Sequence, residues 1–147
     1  MRKRKLFASA AVSILILILA SVFVFQSSTT EFSGYQRRWQ LHFPFPMQEQ
    51  FSVSDLGFTN DGDRYAVFSA EKIPGNFFSG YHSEKNVEIE SFIDRILNEL
   101  KIADKNRPNL RKTYRWIRNQ KADESAVTAT LVILYCDKKF YFIEEMI

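Results

Sequence analysis

Hydrophobic positions along the chain follow three rhythms: one unbroken run, one helical stripe and several alternating stretches. The unbroken run covers residues 6–25, twenty positions without a charge, directly behind Arg2, Lys3, Arg4 and Lys5. At about 1.5 Å of rise per residue, a helix of this length spans roughly 30 Å, the hydrocarbon thickness of a bilayer. No polar stripe relieves the run, so a buried helix of a soluble protein fits it less well than a membrane span. The helical stripe lies in residues 86–102. There Ile89, Phe92, Ile93, Ile96, Leu97 and Leu100 recur at steps of three and four, with Glu88, Glu90, Asp94, Arg95, Asn98 and Lys101 on the other face. Ser83 or Asn86 is placed to cap this amphipathic helix.

The alternating stretches predict five strands. Residues 51–58 and 64–71 flank Asn60-Asp61-Gly62-Asp63, whose Asp-Gly pair suits a hairpin turn. Residues 111–119 alternate loosely, and 120–125 read as a polar turn. Residues 126–136 become apolar on both faces, as in a central strand, and 140–147 return after Asp137-Lys138-Lys139. The expected fold is α+β: an N-terminal transmembrane helix, then a small domain of one antiparallel sheet in β-β-α-β-β-β order with one amphipathic helix packed on it. Phe77 and Phe78, in a loop bounded by Pro74, Gly75 and Gly80, are expected to point inward.

The predicted organisation is a cytoplasmic basic tip at 1–5, a transmembrane helix at 6–25, a stem at 26–46 and an extracytoplasmic domain at 47–147. Residues 26–33 form a polar spacer, and 34–46 are expected to be irregular because Pro44 and Pro46 deny helix and central strand. Trp39, Phe43 and Phe45 make that stem apolar, and packing on the domain is the expectation. A cleaved signal would need a shorter core and small residues spaced as A-x-A; here Ile18 stands two before Ala20, and Val22–Phe25 extends the apolar run, so a retained anchor is expected. Cations before the span place the tip in the cytoplasm and the domain outside.

Charge changes the picture less than the pI of about 9.0 suggests. Four of the 20 basic residues precede the span, while all 17 acidic residues follow it. The exported part is therefore close to neutral, and a nucleic-acid partner is not expected. The single cysteine, Cys136, rules out an internal disulfide, and a bacterial envelope is the expected setting.

Candidate chemistry is sparse. Cys136 ends the most apolar strand, and His42 and His82 are the only imidazoles. Resemblance to a sortase would need a Thr-Leu-x-Thr-Cys signature, but Leu131-Val132-Ile133-Leu134-Tyr135 precedes Cys136. Resemblance to a pilin would need a glycine and an early glutamate in the apolar helix, and both are missing. No spaced metal-ligand set, nucleophile elbow or phosphate loop occurs, so neither catalysis nor a cofactor is expected. The acids Asp55, Asp61 and Asp63 read as turn chemistry, and the pairs Glu88/Glu90 and Glu144/Glu145 as solvated faces.

One imbalance stands out between positions 101 and 121. Lys101, Lys105, Arg107, Arg111, Lys112, Arg115, Arg118 and Lys121 meet only Asp104, with Tyr114 and Trp116 interleaved. Arg111, Lys112, Arg115, Trp116 and Arg118 are the candidate binding residues for an anionic partner. The competing reading is a charged edge strand that resists aggregation. The functional expectation is a non-catalytic, single-pass envelope protein that contacts the bilayer through 6–25 and a protein partner through its domain. The alternative is a binding module for anionic envelope material.

Overall fold

The computed structural model describes residues 31–57, 61–122 and 127–147. The basic tip at 1–5, the expected span at 6–25, the end of the first expected strand at 58, Asn60 of its turn, and residues 123–126 at the polar turn and the start of the central strand lie outside the described residues. Among the described residues, no helix is long and apolar enough to cross a membrane. The chain divides into two compact units, Met1–Leu41 and His42–Ile147.

The first unit contributes helix α1, Glu31–Trp39, where spacer and irregular stem were expected. Proline restricts itself and the residue before it, so the influence of Pro44 ends at Phe43. Upstream, Glu31 opens α1 and Arg37 and Arg38 close it, which complements the helix dipole. Gln40, at φ 52°, stops the helix, and the Leu41 N–H returns to the Gln36 carbonyl at 3.1 Å.

The second unit is a five-stranded antiparallel sheet with one α-helix, an α+β domain. Its elements are β1 (Gln48–Leu56), β2 (Gly62–Ser69), α2 (Val87–Glu99), β3 (Arg115–Ala122), β4 (Val127–Cys136) and β5 (Lys139–Met146). The element order matches the expectation from the sequence. The spatial order is β1-β2-β5-β4-β3. After the first hairpin the chain crosses with α2 to the far edge, then returns as a meander that closes β5 against β2. β3 begins four residues later than its alternation suggested, because a turn from Asn109 to Lys112 follows Pro108. It then continues through the polar Gln120 and Lys121 to Ala122, since an edge strand need bury only one face.

Gly62 marks the first turn, with φ +129°; a Cβ there would lie 2.0 Å from the Asp55 carbonyl oxygen, so only glycine fits. The β4–β5 turn instead holds Asp137 and Lys138 at φ 50° and 61°, both in the left-handed region a two-residue hairpin requires.

The two faces of the sheet differ. On one, Ile89, Ile93, Ile96 and Leu97 of α2 are buried against Tyr65, Val67, Val132, Leu134, Tyr141 and Ile143. Each such side chain contributes about 1.5–3 kcal/mol by leaving water. Asn86 caps α2, accepting from the Ile89 N–H at 3.1 Å. At the other end Ile102 N–H reaches Leu97 O at 2.9 Å and Lys101 N–H reaches Asn98 O at 3.0 Å, with Lys101 at φ 54°.

The opposite face is aromatic. Phe43 sits 5.8 Å from Phe140 and 5.7 Å from Phe142, Phe45 lies 4.8 Å from Phe77, and Phe78 lies 4.6 Å from Tyr135. Phe43 and Phe45 thus pack on the domain, and Phe77 and Phe78 point inward, as expected.

Candidate functional site

The basic segment at 101–121 is the expected binding region, and β3 explains why its cations do not converge. Strand alternation puts Trp116 and Arg118 on the α2 side and Arg115 on the other. Trp116 is buried, donates from Nε1 to the Glu84 carbonyl at 3.0 Å and stacks on His82 at 4.4 Å. Arg118 pairs with Glu88 of α2 at 2.5 Å. Arg115 is exposed and lies over the Phe78 ring at 5.0 Å. Lys112 binds Asp137 at 2.9 Å, and that carboxylate holds its ammonium above the ordinary lysine range.

Arg107, from the same run, does structural service. It donates to the Ile102 and Leu97 carbonyls at 2.8 and 3.2 Å, satisfying the end of α2. Arg111 is exposed beside Asn109, whose side-chain oxygen accepts its backbone N–H at 3.2 Å. The five candidates are therefore spread over two faces and a loop.

A polar cavity of about 320 Å³ opens between α2 and the sheet, walled by Glu88, Ser91, Arg95, Arg118, Gln120 and Glu145, among others. Its charges are already paired, Arg95 with Glu145 at 2.9 Å and with Glu99 at 3.4 Å. Beside it Asp63 faces Asp55 across one ladder and Glu145 across the next. Burial, then its hydrogen bond to Glu99 and the charges of Glu99 and Glu145, push the Asp63 carboxyl up to about 7, against the pull of Arg95.

The expectation that Glu144 and Glu145 share a solvated face is corrected. Glu144 is buried and meets Arg64, its cross-strand partner, at 3.1 Å, while Arg64 also donates to Met146 Sδ at 2.8 Å. These partners are 80 residues apart in sequence, and a period-two strand necessarily sends Glu144 and Glu145 to opposite faces. Alternation was the available signal for that split; the Arg64 partner had none.

Cys136 is buried, its Sγ 3.6 Å from the Asn109 carbonyl. Burial and then Asp137 push its thiol up, the opposite of an activated nucleophile.

The two sheet edges differ in cover. On β3, His82 and Trp116 exchange backbone hydrogen bonds at 2.8 and 2.9 Å, plugging the outer side at Trp116. β1 pairs with β2 alone among the described residues, and most of its side chains are exposed. No protein-family model matches this chain, and no curated protein or solved structure does.

Proposed function

We propose that this chain is a single-pass, membrane-anchored, extracytoplasmic module of the cell envelope that acts by contact with another protein and performs no catalysis. The carrying observation is the uncharged run at 6–25 behind four cations, which suits a retained span with the tip in the cytoplasm and the domain outside. The burial of Cys136 and the paired state of the polar cavity support a contact role over a chemical one.

The test is twofold. The mature chain should begin upstream of residue 25, and protease added to spheroplasts should digest the domain. A chain beginning downstream, or a domain protected inside the cell, overturns the anchor. Crosslinking in the membrane should then give an adduct of defined size that survives Cys136→Ser; loss of biological function in that variant would instead indicate thiol chemistry.

A second reading, binding of anionic envelope material, rests on the exposure of Arg111 and Arg115. It predicts salt-sensitive retention on anionic vesicles that weakens when Arg111, Arg115 and Arg118 are neutralised. Unchanged retention removes it.

A further inference from the structure

We infer that the open edge of β1 is a strand-addition site for an extended, lysine- or arginine-bearing segment of a partner protein. The inference rests on the contact role proposed above and names the chemistry of that partner.

The backbone carries the first part. Gly57 N–H donates to Asp61 O at 2.8 Å, in the same register as the Leu56–Gly62 and Asp55–Asp63 pairs. Ladder alternation then turns the N–H and C=O groups of Ser52, Ser54 and Leu56 away from β2, toward solvent. Ser52, Ser54 and Leu56 are all exposed. An edge of this kind is ordinarily blunted by lysine, proline, a bulge or a covering segment. β1 has a bulge near Gln50, but it has no lysine, arginine or proline, and its stretch from Ser52 to Leu56 is regular. β3, by contrast, carries Arg115, Arg118 and Lys121, and the His82 bridge covers its start.

Charge selects the occupant. The hairpin from Gln48 to Ser69 contains the acids Glu49, Asp55, Asp61 and Asp63, and its one base, Arg64, is buried on Glu144. Self-pairing of β1 in antiparallel fashion would bring Glu49 toward a second Asp55, and opposed like charges destabilise a ladder. A cationic strand meets the same positions favourably. Main-chain hydrogen bonds would supply affinity, and the half-buried Phe51 and Val53 an apolar seat at the edge of the α2 face.

The probe is a synthetic peptide of alternating valine and lysine, with a twin carrying glutamate for lysine. The full chain is held in phosphatidylcholine nanodiscs, so that the lipid offers the peptide no net charge. The lysine peptide should slow amide exchange at Ser52, Ser54 and Leu56 by roughly tenfold or more. The glutamate twin should have no effect. Ser54→Pro removes an outward N–H without touching the β2 ladder and should abolish the protection. Should that variant fail to fold, the double change E49K/D55K keeps the test alive, because it should reverse the peptide preference. Equal protection by both peptides, protection at Arg118 and Gln120 instead, or protection of β1 by self-association without peptide would overturn the inference. Neighbours crosslinked through another surface, with β1 silent, would refute this site and leave the contact role standing.

Discussion

The two edges of one sheet have been treated in opposite ways. β3 is cationic, anchored by a buried tryptophan and bridged by His82, whereas β1 is acidic, exposed from Ser54 to Leu56 and, among the described residues, paired on its β2 side alone. Both belong to the same antiparallel ladder, so strand propensity does not separate them. What separates them is the material supplied by the crossover between β2 and β3. That segment lays His82 and Glu84 along Trp116 and delivers α2 to Arg118, and none of the contacts it makes closes the outer side of β1. An edge protected on one side only is the arrangement expected of a domain that adds a strand in one place and avoids doing so in another.

The largest perturbation should come from the pair that fixes the open-edged hairpin to the rest of the sheet. Glu144→Ala leaves Arg64 charged and buried and should cost about 3–5 kcal/mol in urea unfolding. The apolar double replacement Arg64→Met with Glu144→Leu should recover most of that loss; if it does not, the pair contributes more than mutual neutralisation. Next comes the guarded edge. Trp116→Ala removes a buried ring, its bond to the Glu84 carbonyl and the His82 stack, and should cost about 3 kcal/mol. It should also raise exchange at His82, whose backbone bridge to residue 116 loses the stacked ring that steadies it, while amides of β1 stay unchanged.

A smaller effect distinguishes the acid row beside β1. The Asp63 carboxyl ionises more readily in the unfolded chain than in the folded one, because its folded value is raised from 3.8 to about 7. Its protonated form therefore supports the fold fully below about pH 4, and that support is lost as pH rises toward 7. Asp63→Asn should flatten this dependence and, allowing for solvent screening of a partly exposed group, add on the order of 0.5–1 kcal/mol at pH 8. Thermal melts at pH 4, 6 and 8 would show it. The smallest change is expected at Arg118→Ala, about 0.2–1 kcal/mol, because its pairing with Glu88 is exposed. A larger loss there would make β3 a stabilising edge and not merely a guarded one.

These differences were only partly visible in the sequence. The 3.6-residue stripe from Ile89 to Leu100 and the Asp61-Gly62 turn are local signals, and both led to the right element in the right order. Burial of Trp116 on the α2 face of β3 follows from strand alternation, which also puts Arg118 on that face two positions on. The insertion of β5 between β2 and β4 was not, since short turns fix only neighbouring strands and say nothing of which hairpin closes on which. The Arg64–Glu144 pair depends on that closure. Helix α1 lies close before Pro44 and Pro46, yet a proline restricts only itself and the residue preceding it, so the pair does not forbid a helix ending at Trp39. The plug at Trp116 was hidden because His82 comes 34 positions earlier and acts through its backbone, which no side-chain pattern reports.

The open-edged anchored module is tested most directly by a photoreactive side chain introduced into the full chain in its own membrane, at Ser54 in one variant and at Gln120 in another. Ser54 should crosslink to a second protein through a lysine- or arginine-bearing segment, and Gln120 should give no such adduct. Adducts from Gln120 alone, or from neither position while the chain remains functional, would contradict it.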